Sequence, residues 1–222
     1  MSAPGPAWLR FGPPRALLVV LLLAGCGSGP AIRYLALGDS FTAGTGSRPD
    51  QAFPARLAGA LRAAGHTVAL ENVAVNGFTS ADVLAREVPA LAAFHPTDVT
   101  LAVGANDIVR GVDPEAFRGN VRAIVRAIVA AGVVPRRIVG LPQPEWPRAP
   151  VGARFGASLA TLRRFDAILR AEIEAAGGLW APLEARMTEE ASAGAWAGDG
   201  LHPDAGCHEA WAEALLPVLT PR

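Results

Sequence analysis

The sequence predicts an α/β fold, a three-layer α/β/α sandwich around a five-stranded parallel sheet. From residue 32 onward, strand-like and helix-like segments alternate, which is the pattern of a parallel sheet with helices on both faces. The strand-like runs are continuously apolar, as expected of strands buried on both sides. Gly, Asp and Ser fall between the two kinds of segment, where helices start and stop.

The first three strands are read at Tyr34 to Leu37, Val73 to Val75 and Val99 to Val103. A fourth follows at Ile138 to Leu141 and a fifth at Leu179 to Leu183. Helices are expected over 51–64, 79–94, 113–131, 158–176 and 204–219. Thr79-Ser80 and Asp113-Pro114-Glu115 supply N-terminal caps, and Gly65, Gly132 and Gly177 sit where helices end. In the third helix Phe117, Val121, Ile124, Val125 and Ile128 recur at three- and four-residue spacing, so one face packs on the sheet. Arg118, Arg122 and Arg126 form its solvated face. The proline-rich stretch from Pro142 to Gly156, with Trp146 and Phe155, leaves the same sheet edge as the motifs below; it either shapes a binding pocket there or is an ordinary proline-rich surface loop.

The chain has 222 residues, 51% hydrophobic and 18% charged, enough for one full core and too little for two comfortable domains. Twenty Lys+Arg balance twenty Asp+Glu, every one of those bases is Arg, and no basic run appears, so the footprint of a nucleic-acid binder is missing. Near the start, Arg10 and Arg15 precede the apolar run from Ala16 to Gly25, which suits an export signal and is too short for a membrane span of about 20 residues. Leu23-Ala24-Gly25-Cys26 resembles the bacterial lipobox. That resemblance implies a signal peptide over 1–25, lipidation of Cys26 and a short tether over 26–31, ahead of one domain over 32–222. The protein would then be exported and held at the membrane by its acyl chains. An ordinary cleaved signal with a chance Cys is the alternative. Cys207 is left without a disulfide partner and reads as a small buried residue.

Four short stretches carry chemistry: Gly38-Asp39-Ser40, Asn76-Gly77, Gly104-Ala105-Asn106-Asp107 and Asp199-Gly200-Leu201-His202. A hydroxyl attacks an ester only if a base takes its proton, a third group orients the base, and donors stabilise the oxyanion. Ser40 lies in a glycine-rich turn after the first strand, a place that also suits phosphate binding or helix capping. Asp199 and His202 are three residues apart on one loop, where a bend brings the carboxylate to Nδ1 and leaves Nε2 free. Equally, Asp199 and Asp204 could cap the last helix while His202 is a buried, hydrogen-bonded histidine. Gly77 allows close approach of its backbone amide and Asn106 offers a neutral NH2 donor, although a turn and a cap are the ordinary uses of these residues. In a flavodoxin-like strand order, 2-1-3-4-5, the loops carrying Ser40, Gly77 and Asn106 become neighbours. Asp39 and Asp107 are expected to hold loop amides.

With these four blocks in this order, the chain resembles the SGNH hydrolases of the GDSL family over nearly all of residues 32 to 215. The resemblance implies Ser40 as nucleophile, His202 as general base and then acid, and Asp199 as its orienter. It implies an oxyanion hole of the Ser40 and Gly77 amides with the Asn106 side chain. The usual GDSL reads here as GDSF, with Phe41 in place of Leu. The expected substrate is a small acyl ester or thioester, the expected state a monomer, and neither cofactor nor metal is required. A non-catalytic glycan- or lipid-binding module on the same fold is the competing reading. The lipase-type α/β-hydrolase fold is disfavoured because its nucleophile sits at a mid-chain elbow.

Overall fold

The computed structural model describes Met1 and residues 31–220. The expected signal segment beyond Met1, Cys26 and the tether through residue 30 lie outside the described residues. Five strands, β1 (Ile32–Gly38), β2 (Val68–Asn72), β3 (Asp98–Ala102), β4 (Ile138–Gly140) and β5 (Leu179–Trp180), form one sheet. Its order is β2-β1-β3-β4-β5, and every neighbouring pair is parallel. The predicted fold class and strand order are therefore observed.

Because side chains alternate across a strand, β1 feeds two cores at once. Ile32, Tyr34 and Ala36 pack with Phe53, Leu57 and Leu61 of α2 (Phe53–Ala63), and with Trp211 and Leu215 of the C-terminal helix over Ala205–Leu219. Leu35 and Leu37 point the other way, toward Phe117 and Ile124 of the helix over Pro114–Ala130 and Phe165 and Leu169 of the helix over Leu159–Ala175. Each such side chain, fully buried, contributes about 1.5–3 kcal/mol. All five residues named for the apolar face of the third predicted helix are buried. The remaining helices are α1 (Ser40–Ala43), α3 (Ser80–Asp82), α4 (Ala90–Phe94), α5 (Ala105–Val109) and one over Glu184–Ala193. In chain order the four long C-terminal helices are α6 (Pro114–Ala130), α7 (Leu159–Ala175), α8 (Glu184–Ala193) and α9 (Ala205–Leu219).

Three expectations are corrected. The second strand is Val68–Asn72, five residues ahead of the apolar Val73-Ala74-Val75. It is the sheet edge, so its side chains alternate between core and solvent. Asn72 then bends the chain away, its Oδ1 accepting the Ala74 amide and its Nδ2 donating to Thr42 O. The single helix expected over 79–94 is broken. After the capping box of Thr79 and Asp82, a π-turn over Val83–Glu87 closes with Val88 N donating to Val83 O at 3.1 Å, and Pro89 has no amide to continue the ladder. The helix α8 was not anticipated, because its buried face consists of Met187 and Ala191 alone.

Candidate active site

β1 ends in Gly38 with φ +152°, and a Cβ there would stand 2.3 Å from the Ala102 carbonyl oxygen of β3. Only glycine lets the chain turn there. Asp39 caps α1 by accepting the Phe41 amide through Oδ1 at 3.1 Å, which makes Ser40 the first residue of the short helix. Ser40 is 6% exposed. The expected role of Asp39 in holding a loop amide is observed.

At the other end of the chain Asp199 Oδ2 accepts from His202 Nδ1 at 2.7 Å. Its second oxygen accepts the Leu201 and His202 amides at 2.9 and 3.0 Å. Burial of Asp199 works against its charge, but the two amides and the imidazole outweigh it and hold the carboxyl below the ordinary carboxylate range. Asp204, not Asp199, caps α9, through the Gly206 and Cys207 amides. Asp199 is thus free to serve the histidine.

The two ends meet. Phe41 lays its ring on the His202 imidazole, centroids 5.4 Å apart. The loop after α1 presses on the same segment: a Cβ on Gly46 would lie 3.2 Å from Asp199 Oδ2 and 3.3 Å from His202 Cβ. Among the described residues, the hydrogen bond of the imidazole is to Asp199, and Ser40 Oγ and the ring do not bond to each other.

The glycine and asparagine loops are tied to each other by three links. Asn106 Nδ2 donates one proton to Phe78 O at 3.0 Å, leaving its second free. Arg110 Nη2 donates to Gly77 O at 2.7 Å, which fixes that peptide, and Gly77 has φ +83°. In the empty site a Cβ on Gly77 would meet no atom closer than Arg110 Nη2 at 3.9 Å, so the backbone conformation rather than crowding calls for glycine. Asp107 holds the Ser80 amide at 2.9 Å and the Ser80 hydroxyl at 2.5 Å. Burial pushes the Asp107 carboxyl up, and these bonds pull it back.

Ser40, Phe41, Ala105, Asn106, Val109, Trp146, Phe155 and Leu201 line one cavity of about 80 Å³. Three of the four motif stretches therefore open onto it, as does the proline-rich loop. That loop is joined to the acid-histidine loop by Val151 N donating to Gly200 O at 2.9 Å. Glu145, inside it, is clamped by Arg148, Arg163 and Thr188. Sequence reasoning missed Ser80, Arg110 and Glu87 as supports of the site. Ser80 was legible only as part of a cap, and Arg110 and Glu87 carry no local signal.

Elsewhere Cys207 is buried, and burial pushes its thiol up, in keeping with an inert residue. Its neighbour His208 is also buried, and desolvation lowers it to about 4. Among the described residues, no group of three or more His, Cys, Asp or Glu could hold a metal ion.

The sequence profile of the GDSL-like lipase/acylhydrolase family matches residues 36–210. Esterase TesA of Pseudomonas aeruginosa is 28% identical over 210 residues, covering 90% of this chain and 98% of that protein. A crystal structure of TesA superposes with a TM-score of 0.68 at 27% identity, over 85% of this chain and 98% of the other. The lipase/acylhydrolase of Enterococcus faecalis superposes with a TM-score of 0.69 at 21% identity, over 83% and 93% of the two chains, a likeness of fold. Fold, motif order and profile agree, and the chain belongs to the GDSL-like lipase/acylhydrolase family, hydrolases that act on ester bonds.

Proposed function

We propose that this chain is an exported serine hydrolase that cleaves carboxylic ester or thioester bonds through an acyl-serine intermediate. Ser40 is the nucleophile, His202 the base and Asp199 its orienting carboxylate. The observation that carries the reading is the 2.7 Å bond from His202 Nδ1 to Asp199 Oδ2, on an imidazole packed against the residue that follows Ser40. With its Nδ1 proton committed to Asp199, the neutral ring has a lone pair on Nε2.

In the reaction, His202 Nε2 takes the Ser40 proton as Oγ bonds to the acyl carbon, and the carbonyl electron pair moves onto oxygen. The Ser40 and Gly77 amides and the free Asn106 N–H are the donors for that oxyanion. Collapse expels the alcohol or thiol, which receives the proton from the imidazolium that Asp199 stabilises. Water then repeats the sequence on the acyl-serine and frees the acid. The cavity beside Ser40 is small and walled by Phe41, Val109, Trp146, Phe155 and Leu201, which favours a short acyl group over a long alkyl chain.

Ser40→Ala should lower turnover of an activated acetate ester by about four to six orders of magnitude and abolish labelling by a fluorophosphonate probe. Retained turnover and labelling would remove Ser40 from its role. Export and anchoring rest on the Cys26 pattern: Cys26→Ala should abolish incorporation of a labelled fatty acid, and unchanged incorporation would refute lipidation there.

A further inference from the structure

Beneath the turn that carries Ser40 lies a group of buried acids that the reaction above does not use. Glu87, the last residue of the π-turn, is 1% exposed, and its Oε2 accepts the Gly38 amide at 2.8 Å. Asp39 is fully buried and spends Oδ1 on the Phe41 amide. The other oxygen of each, Glu87 Oε1 and Asp39 Oδ2, is buried without a hydrogen-bond partner among the described residues, as is the Thr42 hydroxyl. Thr42 adjoins Gly38 as well: a Cβ on Gly38 would stand 2.6 Å from its Oγ1. The peptide preceding the serine turn is therefore wedged against β3 on one side and held by a carboxyl on another.

A carboxyl held out of water with one oxygen unpaired disfavours its charged form and keeps its proton to higher pH. Burial is the larger cause and raises each to about 8, the Phe41 amide pulling Asp39 back and the Gly38 amide pulling Glu87 back. The elements packed on the π-turn are β1, α3, α4 and α6. The charged groups acting on Glu87 are Asp39 from the cap of α1 and Asp82 from α3, and Asp107 acts on Asp39. All three are acids, and each adds to the tendency to retain a proton.

We propose that Glu87 is a positioning residue for ester hydrolysis: buried and joined to the Gly38 amide, it fixes the turn that presents the Ser40 hydroxyl. The proposal rests on the reading of Ser40 as nucleophile. When Glu87 loses its proton, a negative charge is left buried beneath the turn, the turn shifts and turnover falls on the alkaline side. Binding of substrate, which relies on the cavity walls, is little affected.

Glu87→Gln replaces the acid by an amide whose oxygen accepts the Gly38 N–H and which carries no proton to lose. Its kcat should lie within about threefold of the parent near neutral pH, while the parent's decline above about pH 8 is absent. Glu87→Leu should lower kcat about 10²-fold with KM within about twofold, the signature of a displaced reacting group. Parent-like kcat in folded Glu87→Leu, or an alkaline decline unchanged in Glu87→Gln, overturns the proposal. If Glu87→Leu does not fold, the pH profile of Glu87→Gln decides alone. Ser40→Ala, measured in parallel, separates the two ideas: an inactive Ser40→Ala beside unaffected Glu87 variants removes only the role of Glu87, whereas an active Ser40→Ala removes both.

Discussion

Replacing Asp199 by Asn separates the orientation of His202 from the architecture of its loop. Asp199 Oδ1 accepts the Leu201 and His202 amides at 2.9 and 3.0 Å, while Oδ2 accepts from Nδ1 at 2.7 Å. An asparagine with its carbonyl oxygen in the first position keeps both amide bonds and turns an NH2 donor toward the ring. The imidazole then adopts the other tautomer, with its proton on Nε2, and can no longer accept the proton of Ser40. The expected loss in kcat is about 10³- to 10⁴-fold, or about 4–5.5 kcal/mol of barrier. Stability should change far less. The lost bond is charge-assisted, nominally about 1.5–3 kcal/mol, but the carboxylate is 39% exposed and solvent screening reduces this to about 1 kcal/mol. Asp199→Ala removes the two amide bonds as well and should cost about 1–2 kcal/mol more. The assay is hydrolysis of p-nitrophenyl acetate near neutral pH, with urea unfolding of the same preparations. Folded Asp199→Asn with kcat within about fivefold of the parent would refute the assignment of Asp199.

Asn106→Ala should lower kcat about 10²- to 10³-fold with little change in KM, and an unchanged kcat would remove it from the oxyanion site. Asp107→Ala leaves the amide and hydroxyl donors of buried Ser80 without their acceptor and should cost about 2–4 kcal/mol in thermal or denaturant unfolding; a cost under about 1 kcal/mol would show that these two bonds are dispensable. Phe155→Ala, at a half-exposed wall of the cavity, should raise kcat/KM for a hexanoyl ester relative to an acetyl ester by about tenfold, and a constant ratio would place the acyl chain elsewhere. Asp39 and Glu87 both have carboxyls raised above their ordinary values, so the stability they contribute is present at acid pH and lost as pH climbs from about 4 through about 8. The urea midpoint of the parent minus that of Glu87→Gln should therefore shrink between pH 5 and 9, whereas parallel curves would contradict the raised Glu87 carboxyl.

The parallel sheet and its order were legible because β1, β3 and β4 carry mostly apolar, buried runs such as Tyr34 to Leu37, and because Phe117 to Ile128 recur at helical spacing. The edge strand was not, since Val68–Asn72 is half-solvated and carries Glu71 and Asn72, while the more apolar Val73 to Val75 runs past it without strand geometry. The broken helix was hidden for a different reason. Pro89 is visible in the sequence, but the π-turn before it depends on how Val83 and Glu87 are received by the core. Within the site, the motif residues announced themselves through glycine turns and paired chemistry. Their supports did not: the Ser80–Asp107 and Gly38–Glu87 bonds join residues 27 and 49 positions apart. Long-range pairing of this kind leaves no periodic trace.

The contact of Phe41 with His202 has a bearing on biosynthesis. Ser40 emerges from the ribosome well before the imidazole, which lies 162 positions further along the chain. On the proposed assignment, a nascent or truncated chain ending before residue 202 carries a hydroxyl with nothing to deprotonate it. Translation order alone thus keeps the unfinished enzyme silent toward cellular esters, with no separate inhibitory segment needed.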